Sequence, residues 1–477
     1  MNQRKDALLG TEPIGPLLAR MSIPAIVGMI VNATYNVVDA IFLGRGVGTM
    51  AIGGLAVAFP FQLIMMAFAI LIGIGSASVI SRNLGAGNRE RAAETAGNAF
   101  ALSLVIGAVL MVLGYTFLDP LMRLLGSTGE LTPYVREYIT YILPGSVFIM
   151  FAIAANSIVR AEGRATFAMI TMVIGIGMNI VLDPIFIFAL GMGIKGAAIA
   201  TVIAQFISFL VLLVFFISGR SALELKFSHL KFRASVLGET LKLGLPMFVH
   251  QFGASILVVI INNSLGTYGT ELSIAIFGIL NRLIAFFLMP LLGLSQGFQP
   301  IAGYNYGARR YERVRKTVRL TLSVATAGST FFFLVMMLFP GFLIGLFTDD
   351  ALLVREAVPI IRTVILAVPL VGLQVVGSTY FQAVGKAVPA FILGLSRQVL
   401  FLIPLVAVLP LIMGIRGVWT AFPIADILAV TVTAVWITRE YRGLGRLETQ
   451  SGVPEPGSSA PVPAAPPVGT AQSAPQD

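Results

Sequence analysis

The chain has 477 residues, 57% of them hydrophobic and 11% charged, with a mean hydropathy of +0.91. Soluble globular domains carry about 25% charged residues, so this composition excludes one and indicates an integral membrane protein. Cysteine is absent, which excludes disulfides, thiolate metal sites and cysteine nucleophiles, and the formal charge of +10 has to reflect either a nucleic-acid partner or membrane topology.

In chain order, residues 1–16 form a polar N-terminal segment with Arg4 and Lys5 and no signal-peptide cleavage pattern. Twelve apolar runs follow, each long enough to cross a bilayer as a helix. They begin near Leu17, Ile52, Glu94, Tyr134, Phe167, Gly196, Val236, Leu272, Thr317, Ala357, Val388 and Gly417. When the connections alternate between sides, most Lys and Arg fall on the side of the termini, among them Arg82, Arg89, Arg91, Lys231, Arg233, Arg309 and Arg313. The opposite side holds Arg45, Arg123, Arg136, Lys195, Arg355 and Arg416. The positive-inside rule then puts both termini in the cytoplasm of a multi-pass protein of the plasma (inner) membrane. The basic charge is topology, and no nucleic-acid partner is expected.

An internal repeat organises the spans. At an offset of 222, Ser22-Ile23-Pro24 falls on Gly244-Leu245-Pro246 and Asn83-Leu84-Gly85-Ala86 on Asn305-Tyr306-Gly307-Ala308. At the same offset Ala161-Glu162-Gly163-Arg164-Ala165 meets Ala383-Val384-Gly385-Lys386-Ala387. Six spans per half is an even number, so both halves enter the membrane in the same orientation and are related by an axis along its normal. The expected divisions are an N-terminal bundle at 17–217, a cytoplasmic loop at 218–239 and a C-terminal bundle at 240–440. Residues 448–477, rich in Pro, Ala, Ser and Gly, read as a disordered tail.

Polar groups at membrane depth carry the chemistry. Asn179 and Asp183 lie four residues apart in the fifth run and share one helix face. In the first run Asn32, Tyr35, Asn36 and Asp39 fall at i, i+3, i+4 and i+7. A carboxylate in hydrocarbon costs several kcal/mol or takes up a proton, so two helices that each offer an acid and an amide read as a cation or proton site. The C-terminal half lacks such a pair; its mid-span acid, Asp426, stands alone. Each aspartate has a plainer reading as an ion-pair partner of Arg282, Arg362 or Arg397. Thr201, Gln205 and Ser208 form a polar stripe on the sixth run, from which a hydroxyl would complete oxygen coordination of a small cation. Pro24 removes a backbone hydrogen bond in the first run and is a candidate hinge. No phosphate-binding loop or hydrolase motif occurs, so transport would draw on an ion gradient and no enzyme activity is expected. The aspartates also lack the Gly-x-Gly-Asp setting of an intramembrane aspartyl protease.

The motifs together resemble the MATE (multidrug and toxic compound extrusion) family, and its DinF-like prokaryotic branch in particular. They are Ser22-Ile23-Pro24, Asn36-Val37-Val38-Asp39-Ala40, Ser81-Arg82-Asn83-Leu84-Gly85, Asn179-Ile180-Val181-Leu182-Asp183-Pro184 and Gly193-Ile194-Lys195-Gly196. The resemblance implies an all-α, V-shaped membrane fold of two pseudo-symmetric six-helix bundles. It also implies an antiporter that exports small organic cations against protons or sodium ions by alternating access, without a cofactor. Asp39, Asn179, Asp183 and Thr201 match the coupling-ion residues of that branch and would also hold Na+. Tyr35, Tyr138 and Asn156 match polar groups around the site, and Asn32, Tyr35, Asn36, Tyr138 and Asn156 are expected to line the substrate cavity. A monomer in contact with membrane lipid is the expected unit. The rival function is a flippase or exporter of a lipid-linked or amphiphilic metabolite on the same scaffold, which would gain support if the mid-span arginines face the cavity.

Overall fold

The computed structural model describes residues 8–127 and 129–451, except for the side chains of residues 35–41, 43–46, 49, 52, 450 and 451. The described residues fold into helices, because a chain surrounded by lipid has to satisfy its backbone N–H and C=O groups within each spanning segment. The N-terminal half contains α1 (Ile14–Gly46), α2 (Thr49–Gly85) and α3 (Arg89–Thr116). It continues with α4, a bent pair (Thr132–Ile142 and Gly145–Ala161), α5 (Ala165–Pro184, extended by a π-helical turn at Ile185–Ala189) and α6 (Gly193–Ile217). The C-terminal half repeats the order with α7 (Ala234–Tyr268), α8 (Glu271–Gly307) and α9 (Tyr311–Leu338). Its last three spans are the bent α10 (Ala351–Val364 and Val368–Ala383), α11 (Ala387–Met413, with a π-helical stretch at Ser396–Leu402) and α12 (Ile415–Ser451). The bends in α4 and α10 are 56° and 50°. Among the described residues ten helices are long and apolar enough to cross a membrane, or twelve with each bent pair counted as one span, and apolar side chains such as Val112, Leu334 and Phe331 are exposed. This is a multi-pass membrane protein.

The halves meet through α1 against α8 and α2 against both α7 and α8. The contacts obey the sequence repeat. A Cβ built on Gly85 would lie 2.7 Å from the carbonyl carbon of Tyr304, and one on Gly307 would lie 2.8 Å from that of Arg82. Gly85 and Gly307 are equivalent positions, as are Arg82 and Tyr304, so α2 and α8 cross at the pseudo-twofold axis with their backbones touching. Small residues permit this approach, as in other membrane helix pairs. Polar contacts reinforce it: Ser78 donates to Gln382 O at 2.5 Å, Ser22 to Leu294 O at 3.4 Å, and Arg82 pairs with Glu239 at 2.9 Å. All of these lie at one end of the molecule, here termed the closed end, which also carries both ends of the described chain. Further from it the halves splay, giving the V shape.

Several boundaries differ from the sequence expectation. The helices start one to six residues before the hydropathic runs, because charged first turns such as Arg89-Glu90 continue the helix into water. Helix α7 begins at Ala234, inside the segment expected to be loop, and α12 runs through Glu448, where the tail was expected to start. Arg315 holds that last turn through Glu448 at 2.8 Å. Residues 8–16 pack rather than hang free: Leu9 is buried, Asn305 donates to Leu9 O at 2.9 Å, and Arg313 donates to Glu12 O at 2.7 Å. Residues 452–477 lie outside the described residues.

Candidate functional site

Asn179 and Asp183 end α5, and the structure buries both. Pro184 explains where the regular helix stops: it has no N–H to donate and its ring crowds the preceding turn. The chain then widens into the π-helical turn, with Leu190 N bonded to Ile185 O at 2.9 Å. Such turns often accompany functional sites. Asn179 Nδ2 donates to Asp183 Oδ1 at 3.3 Å and to Thr201 Oγ1 of α6 at 3.4 Å, while Thr201 Oγ1 donates to Ala197 O at 2.9 Å. Among the described residues Asn179 Oδ1 is buried with no hydrogen-bond partner. The Asn179 amide thus bridges a carboxylate and a hydroxyl while its own oxygen stays unpaired, and carboxylate, hydroxyl and amide oxygens are the hard donors that suit a small cation or a proton. Asp39, Tyr35 and Asn36 belong to α1, but their side chains lie outside the described residues.

The other expected site residues lie on α4, α6 and α1. Tyr138 is buried in α4, where its hydroxyl accepts from Gln62 Nε2 at 2.6 Å. Asn156 ties α4 to α5, donating to Ala168 O at 2.7 Å and Thr171 Oγ1 at 3.0 Å, and accepts from Arg160. It lies two turns of α5 away from the Asn179 cluster and is not joined to it. Gln205 and Ser208, the remainder of the α6 stripe, pack on Gly145 and Gly175 inside the bundle. Asn32 is half-buried on α1. Pro24 lies in an unbroken α1, two residues from each of Ser22 and Ile26, which abut Gly297 and Gly293 of α8.

Helix α1 separates this cluster from the opposite half. Gly28 packs on Met172 of α5, with a built Cβ 3.3 Å from its sulfur, while Ile26 packs on α8. The cleft between the halves has an aromatic floor, in which Phe68 of α2 meets Phe248 of α7 at 4.9 Å and Phe248 meets Phe252 at 4.9 Å. Composition alone does not single these out among 33 phenylalanines. Above the floor, helical register sets the C-terminal wall. Arg282 precedes Gly293 by three turns of α8 and Gln251 follows Gly244 by two turns of α7, so both share the faces that touch the N-terminal half lower down. Arg282 is exposed. Arg397 is not part of that wall. It pairs with Asp426 at 2.5 Å inside the C-terminal bundle, and their repeat equivalents, Gly175 and Gln205, carry no charge. The mid-span acid of the second half is therefore a buried ion-pair partner. Arg362 is exposed and donates to Met337 O at 3.3 Å.

The family model described as MatE matches the chain twice, over residues 24–185 and 246–408, one match per half and in the same register as the repeat. The chain belongs to the MATE family. It is 27% identical over 409 residues to the multidrug export protein MepA of Staphylococcus haemolyticus, covering 86% of this chain and 90% of that protein. The MATE multidrug transporter DinF-BH, solved in complex with a small-molecule ligand, is 45% identical with a TM-score of 0.84, covering 90% of this chain and 96% of that one. A MOP superfamily transporter from Pyrococcus furiosus Vc1, described as having a binding pocket of reversed polarity that suggests a different function, is 28% identical with a TM-score of 0.86. That match covers 93% of this chain and 99% of that one. This MATE protein is a transporter of a multidrug-export family and not an enzyme.

Proposed function

We propose that this MATE protein exports small, cationic amphiphilic compounds in exchange for protons or sodium ions by alternating access. The carrying observation is the buried Asn179–Asp183–Thr201 cluster, set behind a helix that also packs on the opposite half. Neutralising the cluster with a proton or sodium ion removes a buried charge. It changes how α1 sits on α5, and because Ile26 and Ser22 of α1 bear on α8, the change reaches the closed end. Substrate would bind on the Phe68, Phe248 and Phe252 floor, where ring faces attract organic cations. Similarity to MepA and to the ligand-bound DinF-BH supports this reading. In this proposal the closed end and both termini face the cytoplasm, the protein works as a monomer in the plasma (inner) membrane, and nucleic acid has no role.

A second reading is favoured by one observation, the exposed Arg282 on the cleft wall. A cation there suits an amphiphile with an anionic head group, as a flippase would carry. The test for both is ethidium efflux from drug-hypersensitive cells expressing the parent, Asp39→Asn, Asp183→Asn or Arg282→Gln at matched levels. It is run with a proton ionophore and with sodium withdrawn. Loss of efflux in either aspartate variant and under one ion condition supports antiport and names the ion. Efflux equal to the parent in both aspartate variants refutes the coupling site. No efflux by any form moves the lipid-linked substrate to the front.

A further inference from the structure

At the closed end a cavity of about 350 Å³ opens between the two halves. The N-terminal half supplies Arg82 and Arg91 to it; the C-terminal half supplies Glu239, Tyr306, Arg309 and Tyr311. Three guanidinium groups thus face one carboxylate. Arg82 and Arg91 share that carboxylate, at 2.9 and 3.9 Å from Glu239, and Arg82 Nε also donates to Ser78 O at 3.3 Å. Arg91 also reaches Glu94 at 3.7 Å, so those two arginines have two carboxylate partners between them; no side-chain hydrogen bond or ion pair engages Arg309 among the described residues, and its charge is the unmatched one.

The backbone at Arg309 makes its presence more telling. Its φ is +59°, and among the described residues it is the one non-glycine at positive φ. Its repeat equivalent in the N-terminal half is Gly87, at φ +76°. This is the left-handed residue that ends α2 in one half and α8 in the other, a position that glycine fills without strain. One half uses glycine there. The other accepts a strained arginine, and that arginine lines the cavity.

We infer that this cavity is a binding site for a phosphate-bearing anion, held by Arg309 and Arg91 across the gap between the halves. A guanidinium presents paired N–H donors that match phosphate oxygens, and the Tyr306 and Tyr311 hydroxyls add neutral donors on the same wall. The anion is either a phospholipid head group or a free phosphate. Because its ligands come from both halves, it binds the state in which the closed end is closed and favours that state by mass action. This last clause rests on the alternating-access reading; the site itself does not.

The experiment uses the full-length protein in neutral detergent, titrated with phosphatidylglycerol, phosphatidylcholine or inorganic phosphate. Bound lipid is read by native mass spectrometry and stability by melting temperature. Phosphatidylglycerol is expected to bind and raise the melting temperature, and phosphatidylcholine to do neither. Arg309→Gly restores the residue of the other half and so folds without strain; it is expected to weaken binding at least about fivefold, and Arg309→Lys, which keeps the charge but not the paired donors, to weaken it less. Inorganic phosphate that competes with the lipid identifies a free anion as a ligand; absence of competition identifies the head group. Parent-like phosphatidylglycerol binding by both Arg309→Gly and Arg91→Gln overturns the site. A spin-label pair at Ser218→Cys and Arg319→Cys, introduced into a chain without native cysteine, tests the linked clause. Ligand is expected to narrow the distance distribution toward the short component, and an unchanged distribution with intact binding overturns state selection alone. Binding and spin-label readouts are independent of efflux, so failure of the export proposal stays distinguishable.

Discussion

Alanine at Gly307 tests whether the α2–α8 crossing is what closes one end of the molecule. The added Cβ overlaps the Arg82 carbonyl oxygen and lies 2.8 Å from its carbon and 3.0 Å from its Cα. Carbon atoms in contact sit about 3.5–4.0 Å apart, so the two helices have to part by about 1 Å. Overpacking of this kind costs about 1–3 kcal/mol. Alanine returns about 0.5–1 kcal/mol of helix propensity, which leaves roughly 1–2 kcal/mol against the closed arrangement, or about a tenfold loss of its population relative to the open one. Gly85→Ala makes the reciprocal clash with Tyr304, and one separation relieves both, so the double variant is expected to cost less than the two single costs combined. The control is Gly328→Ala on α9, where a Cβ meets nothing within 4 Å and stability should hold or rise. Distances between spin labels at Ser218→Cys and Arg319→Cys read the separation, and efflux reads the consequence. Parent-like distances and stability in Gly307→Ala, or strict additivity in the double variant, would refute the reasoning.

Three further outcomes are expected. Thr201→Ala removes the hydroxyl that receives the Asn179 amide and should slow efflux about tenfold or more, whereas Thr201→Ser should retain it; equal rates in the two variants would argue against a role for the hydroxyl. Asp426→Leu strands Arg397 inside the C-terminal bundle and should destabilise the protein by about 3–5 kcal/mol. Adding Arg397→Met should recover most of that loss in thermal melts. Glu162 is buried and accepts from Ser221 Oγ at 2.5 Å and Ala222 N at 2.9 Å, so Glu162→Ala should cost about 1–3 kcal/mol and speed tryptic cleavage after Arg220. Unchanged cleavage would mean that other contacts hold the loop.

What the sequence discloses depends on how far apart the cooperating residues lie along it. Asn179 and Asp183 share a helix face by spacing alone, and the repeat offset anticipates the reciprocal Gly85 and Gly307 contacts. Thr201 sits on another helix, where its spacing with Gln205 and Ser208 marks a polar stripe, but family resemblance is what selects Thr201 from that stripe as the partner of the pair. Arg397 is one of three mid-span arginines open to pairing with Asp426, but the sequence does not choose among them, because 29 residues and a change of helix separate the two and their repeat equivalents carry no charge. Hydropathy does not say which neighbour a polar group satisfies, so the partners of Tyr138 and Asn156, Gln62 and Thr171, come from the structure alone. The face that carries Arg282 is defined by Gly293 against Ile26, a contact between distant helices that hydropathy does not encode.

The segment that joins the halves is fastened almost entirely to one of them. Glu162 holds Ser221 and Ala222, Asn98 bonds to His229 O, Lys231 O and Arg233 N at 2.9, 3.1 and 2.8 Å, and His229 contacts Glu90 at 2.9 Å. All three anchors belong to the N-terminal bundle. Sixteen residues of apparent slack therefore reduce to the step from Arg233 into Ala234, where α7 begins. Such a short leash allows rotation about its attachment but little translation away from it. The C-terminal half is thus tethered like a door on a single pin, and any large swing has to take place about a point close to the start of α7.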